Sequence, residues 1–168
     1  MNWLSREFED MSGTDIIKLI VSIAACQGAG GIGAIFTTPA ITTWYAKLKK
    51  PSFTPPNSVF GPVWITLYLM MGISLYIIWE KGTRKKASRS ALKIFAVQLV
   101  LNALWSMLFF GLKSPLLAFI GIVFLWTAIL LTIRYFHKIS RTAAYLLIPY
   151  ILWVSFAAVL NFSIYYLN

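Results

Sequence analysis

The sequence predicts an all-α membrane protein: a bundle of five transmembrane helices with a structured aromatic, proline-rich loop between the first and second. Three observations predict it. Only 12% of the residues are charged while 59% are hydrophobic, against roughly a quarter charged in soluble domains. The chain divides into five apolar segments whose interiors hold none of its 15 lysines and arginines or 5 acidic residues. The third observation is the stretch WYAKLKKPSFTPPNSVFGPVWITLYLMMGISLYIIW, from Trp44 to Trp79. Its first half gathers aromatic rings, lysines and prolines as a loop at a membrane surface does. Its second half is an apolar helix. A single domain is expected over residues 16–168, with residues 1–15 as a polar leader outside the membrane.

The leader is mixed in charge, and its Trp3 and Phe8 suit a short interfacial helix or a disordered segment. Ser12 or Asp15 is placed to cap the first span, 16–36. About 21 residues rising 1.5 Å each give about 31 Å, the thickness of the hydrocarbon core. Ala25, Ala29 and Gly33 recur every four residues beside Gly28, Gly30 and Gly31, a small-residue face that admits another helix closely. A phosphate-cradling glycine loop is excluded, because no Lys-Ser/Thr follows and the run is apolar. Cys26 lies within this run as a small packed residue, and a lone cysteine permits no internal disulfide.

Residues 37–60 form the lid loop. Pro51, Pro55 and Pro56 forbid regular helix through it and reduce its unfolded freedom. Lys47, Lys49 and Lys50 form a basic rim at headgroup level. The second span, 61–79, is expected to start at Gly61 or Pro62, since proline suits a first helical turn. Trp64, Tyr68 and Met71 share one of its faces, and Tyr76, Trp79 and Glu80 mark its far end.

Residues 80–93 carry six positive charges and one negative and read as a solvated turn. In the third span, 94–111, Gln98, Asn102, Trp105 and Phe109 form one stripe. Amides are costly in hydrocarbon without partners, so Gln98 and Asn102 are expected to face the bundle interior, as interhelical contacts or as ligand contacts. The loop 112–115 is too short for anything but an antiparallel neighbour, the fourth span at 115–134. Residues 135–141 are a basic turn holding the single histidine, His137, which suits neither a metal site nor a proton relay. In the fifth span, 143–166, Tyr150, Trp153, Ala157, Asn161 and Ile164 share a face. Pro149 is expected to kink or open the helix, leaving room for a flat ligand near Trp153 and Ala157. Asn161 is placed to bond across to the amides of the third span.

With the N-terminus inside, eleven lysines and arginines fall on the inner side and four on the outer. The positive-inside rule therefore places the C-terminus and the lid outside. The net charge of +10 does not make a nucleic-acid interface, because the cations sit in short turns, where anionic lipid is the natural partner. The pattern suits a bacterial cell membrane. No charged side chain is expected deep in a span, so a carboxylate proton or ion pathway has nothing to run on. Clustered metal ligands and a serine–base pair are also absent, so no metal, no required cofactor and no conventional catalytic set is expected. What remains is an apolar pocket rimmed by tryptophans and a few hydrogen-bonding groups, the composition of a site for a large flat ligand.

The pattern W-Y-x-x-L-x-K-P-x-F-x-P-P-x-x-x-F-G-P-V-W, from Trp44 to Trp64, resembles the tryptophan-rich sensory protein family, also called the translocator protein or peripheral benzodiazepine receptor family. The segments QLVLNALWSMLFFGLKSP (Gln98 to Pro115) and LLIPYILWVSFAAVLNFSIYYLN (Leu146 to Asn168) resemble it too, in the same order. The resemblance covers about residues 16–168. It implies a five-helix bundle, usually a homodimer, that binds porphyrins such as protoporphyrin IX and haem. In some members it implies cholesterol and synthetic isoquinoline or benzodiazepine ligands. It also implies, for some members, porphyrin degradation dependent on light or oxygen. By motif match the pocket tryptophans are Trp64 and Trp153, with Asn102 and Trp105 on the third helix, Tyr45 and Pro56 in the lid and Ala157 on the fifth. The cholesterol pattern of animal members needs a Lys or Arg after the terminal tyrosine. Here Tyr165 and Tyr166 precede only Leu167 and Asn168, so that tail pattern is absent and the resemblance does not carry cholesterol over to this chain.

The function expected is therefore a membrane-embedded binding protein or sensor for porphyrins. Tyr45, Pro56, Trp64, Gln98, Asn102, Trp105, Phe109, Trp153 and Ala157 are its candidate ligand residues. The alternatives are a light- and oxygen-dependent porphyrin-degrading enzyme acting through Trp64 and Trp153, and a transporter of tetrapyrroles or lipids.

Overall fold

A computed structural model describes residues 12–82 and 86–168. The leader's Trp3 and Phe8, and residues 83–85 of the basic turn, lie outside them. Among the described residues seven α-helices follow in order: α1 (Gly13–Ile41), α2 (Trp44–Lys47), α3 (Asn57–Glu80), α4 (Lys86–Ser106), α5 (Pro115–His137), α6 (Arg141–Tyr145) and α7 (Ile148–Leu167). A π-helical turn, Met107–Gly111, extends α4. There is no strand among the described residues. Among the described residues five helical stretches are long and apolar enough to cross a membrane, with α6 and α7 together making the fifth.

The spans stand where the sequence places them, but their ends run further. At about 1.5 Å per residue, the 29 residues of α1 reach about 43 Å, well past the hydrocarbon core. Its first turn holds the pair Lys18 Nζ–Asp15 Oδ1 at 2.9 Å. Ser12 stands at the N-cap, yet its hydroxyl donates to Asp15 Oδ2 at 2.6 Å and caps no backbone N–H. The second helix starts at Asn57 rather than Gly61, and Pro56 is its N-cap. Pro62 thus falls past the first turn. α4 begins eight residues before the predicted span, because Ser88 and Ala91 are buried by the bundle although their neighbours are basic. The helix before Pro149 breaks rather than bends: Leu146 and Leu147 separate α6 from α7, and Pro149 occupies the first turn of α7.

α1 packs on α3 and α4, α4 on α5, and α5 on α6 and α7. Small residues set the closest approach. A Cβ on Gly72 of α3 would lie 2.7 Å from Ile23 Cα, and one on Gly33 of α1 would lie 2.9 Å from Ser106 Oγ. Gly30 sits against the Tyr68 ring. Only part of the small-residue stripe of α1 is used in this way, since a Cβ at Gly28 or Gly31 would meet nothing within 4 Å.

The core has two parts. The larger, centred on Phe95, Phe136, Met71, Ile129 and Tyr150, fills the end of the bundle away from the lid. The smaller lies beneath the lid, around Tyr45, Phe109, Ala118, Leu160 and Ile164. The turn into α5 is tight: Lys113 has φ +53°, and Ser114 Oγ accepts from Leu117 N at 3.4 Å to cap a helix that opens on Pro115.

Candidate functional site

Between the two core regions, α1, α3, the end of α4 and α7 enclose a cavity of about 540 Å³, within the range of small-molecule sites. Among the described residues no charged side chain lines it. Trp64, Trp105 and Trp153 enter its wall from three different helices.

Each is held by its surroundings. The Trp64 ring stacks on Tyr68 (centroids 5.5 Å, 28°) and meets Tyr150 edge-on at 6.3 Å. Both tyrosines are pinned from behind by one amide. Tyr68 donates its hydroxyl proton to Asn102 Oδ1, and Asn102 Nδ2 donates to the Tyr150 hydroxyl at 2.7 Å. Trp105 stacks on Phe109 (5.7 Å, 27°) and donates its indole N–H to Asn161 Oδ1 at 3.1 Å. Asn161 Nδ2 in turn donates to the Pro115 carbonyl at 2.8 Å. Asn161 therefore reaches the indole and a turn carbonyl, not the amides of the third span. Trp153 meets Phe60 edge-on at 5.9 Å and is tilted against Phe156 at 5.5 Å.

The π-helical turn matters to the wall. Leu112 N donates to Met107 O at 2.8 Å, a bond one residue longer than an α-helix makes. The extra residue in the turn brings two successive rings, Phe109 and Phe110, to the cavity.

The lid closes the outer end. Tyr45, 5% exposed, meets Phe109 and Phe110 edge-on at 6.1 and 5.8 Å, and Trp44 meets Phe109 at 5.5 Å. Lys50 Nζ lies 4.5 Å above the Tyr45 ring, within cation–π range. Burial pushes the Tyr45 hydroxyl above its ordinary pKa, so it stays neutral. Asn168 fastens the lid: its Oδ1 accepts from Lys49 N and its Nδ2 donates to Lys49 O, both at 3.0 Å.

Of the candidate ligand residues, Tyr45, Trp64, Trp105, Phe109, Trp153 and Ala157 line this one cavity, joined by Asn161 and Ile164 from the Trp153 face of the fifth span. The others do not. Asn102 stands behind the wall, occupied by its two tyrosines. Gln98 is 1% exposed one turn deeper, with neither amide atom hydrogen-bonded. Pro56 caps α3. Lys47, Lys49 and Lys50 belong to the lid outside the lining. The sequence reading missed the share of α1, where Gly30, Gly33, Ala34 and Thr37 form a wall without rings. Glycines read as helix packing carry no sign that they also border a void. Tyr68, placed on the face of Trp64 by spacing, and Phe60 also line the cavity but were not among the candidate ligand residues.

Fold and site together define a multi-pass helical membrane protein with a lidded, aromatic, uncharged cavity of small-molecule size. The TspO/MBR family model matches residues 22–167. The chain is 48% identical over 158 residues to the tryptophan-rich protein TspO of Archaeoglobus fulgidus, covering 92% of this chain and 99% of that protein. It is 37% identical over 137 residues to the bovine (Bos taurus) translocator protein, covering 81% of each. It is 32% identical over 154 residues to the tryptophan-rich sensory protein of Cereibacter sphaeroides, covering 92% of this chain and 93% of that one. The chain belongs to the TspO/MBR family.

Proposed function

We propose that this protein binds porphyrins, protoporphyrin IX and haem among them, within the membrane. The observation that carries the reading is the uncharged cavity walled by Trp64, Trp105 and Trp153. Flat apolar ligands gain from aromatic faces and from burial away from water. With no cation in the lining, the carboxylates of such a ligand would have to extend beyond it, and Lys50 over Tyr45 is a cation at the lid edge of the wall. By its charge distribution the protein would sit with the N-terminus inside and the lid outside, in contact with anionic lipid; a homodimer is what the family resemblance implies.

The test is a protoporphyrin IX titration in the dark, read by the porphyrin absorption band and by tryptophan quenching. Wild-type protein is expected to saturate, and Trp153→Ala to bind about tenfold more weakly, a loss of ~1.4 kcal/mol for one stacking surface. Equal affinity in a folded Trp153→Ala protein would move the site elsewhere.

A second reading is oxygen-dependent photochemical breakdown of the bound porphyrin. It is favoured by the stack of two oxidisable rings, Trp64 on Tyr68, at the cavity wall. Product formed only with both light and oxygen, and lost in Trp64→Phe, would support it; product in darkness would remove it. Transport of tetrapyrroles or lipids would require net uptake by proteoliposomes.

A further inference from the structure

The cavity is shut above and open to one side. Above, Tyr45 is nearly buried against Phe109 and Phe110, and Asn168 holds the Lys49 backbone at both its polar atoms. The side opening lies between α1 and α3. Away from the lid these helices touch, Gly72 on Ile23, and at mid-bundle Gly30 meets the Tyr68 ring. Gln27 Nε2 then bridges them by donating to the Ile65 carbonyl at 3.0 Å. Toward the lid they part. Gly31, Ala34 and Thr38 on α1 and Asn57, Gly61 and Ile65 on α3 all line the cavity, yet all six are also exposed on the outer surface, Ile65 by 61%. Residues that are both lining and exposed mark a hole in the wall. Its edges are trimmed to glycine: a Cβ at Gly31 or Gly61 would meet nothing within 4 Å.

The hole opens between two helices long and apolar enough to cross a membrane. It runs through their lid-side half up to Asn57, the first residue of α3, and its six residues carry no charge. A ligand dissolved in the bilayer meets it without crossing water or moving the lid. We infer that the ligand reaches the cavity sideways from the lipid, through the gap between α1 and α3 at Gly31 and Gly61. This rests on the porphyrin reading above and adds to it that the ligand is taken from the membrane phase. The lid then serves as a roof, and Gly31 and Gly61 keep the side passage clear.

The experiment is stopped-flow tryptophan quenching by protoporphyrin IX in proteoliposomes, comparing wild type with Gly31→Leu, Gly61→Leu and Asn168→Ala. A leucine at either glycine has room to fold and projects across the gap. Association and dissociation rates are both expected to fall, by about tenfold, in each glycine variant, because a narrowed passage slows both directions. Asn168→Ala, which frees the lid, is expected to leave the association rate at the wild-type value. Faster association in Asn168→Ala, with unchanged rates in both glycine variants, would overturn the side route in favour of passage under the lid. Weaker affinity through faster dissociation alone would make these glycines part of the binding wall and equally overturn the route. Absence of saturable quenching in the wild type would overturn the porphyrin reading itself, and the route with it.

Discussion

Three buried amides show how differently the same chemistry is used within one bundle. Asn102 satisfies two tyrosine hydroxyls, Asn161 joins an indole to a turn carbonyl, and Gln98 bonds to nothing among the described residues. A buried polar group that loses its partner keeps the desolvation cost, whereas one that has no partner loses little when replaced by carbon. Asn102→Leu is therefore expected to destabilise the protein by about 2 kcal/mol or more, since it strands both tyrosines. It should also shift the Trp64 emission, because Tyr68 and Tyr150 are the rings against Trp64. Gln98→Leu is expected to be neutral or stabilising. Thermal unfolding in one detergent checks both, and a larger loss for Gln98→Leu than for Asn102→Leu would contradict the assignment. The stripe of Gln98, Asn102, Trp105 and Phe109 was legible from spacing alone. Which of its members reach the cavity was not, because that depends on how deep the void lies along the helix, and spacing carries no depth.

Hydropathy located all five spans, since the end of an apolar run is a property of the run itself. It misplaced their ends where helix continues through polar residues: Asn57–Phe60 and Lys86–Lys93 are helical although neither stretch is uniformly apolar. The π-helical turn at Met107–Gly111 left no signal in composition, and with it Phe110 went unnoticed. Glycine was ambiguous in the same way, and the packed bundle separates its uses. Gly72→Ala puts a methyl 2.7 Å from the Ile23 backbone, which cannot yield as a side chain would. A loss of about 1–3 kcal/mol is expected from that overpacking. Gly28→Ala meets open space and is expected to raise stability by up to ~1 kcal/mol through helix propensity. Equal melting temperatures for the two variants would contradict the α1–α3 contact described above.

At the scale of the whole molecule, five helical stretches put Ser12 and Asn168 at opposite ends of the bundle, and the Asn168–Lys49 clip sets Asn168 beside the lid. The basic residues at the other end, Lys86, Arg89, Arg134, Lys138 and Arg141 among them, predict that this end is cytoplasmic. Cysteines placed singly at Lys49 and at Lys138, in a chain whose buried Cys26 is left in place, should react with a membrane-impermeant thiol reagent from the outside only at position 49. Labelling at position 138 alone would reverse the orientation.

The central claim is that one aromatic cavity beneath the lid takes the ligand. Ala157 lies in its wall, so Ala157→Trp fills the void with a ring of the protein's own. The decisive measurement is protoporphyrin IX binding in the dark by this variant beside the wild type, with helical content and melting temperature measured on the same samples. Saturable binding by the wild type, weakened at least about tenfold in a folded Ala157→Trp protein, is the predicted result. Undiminished binding by the folded variant would contradict it and place the ligand outside the cavity.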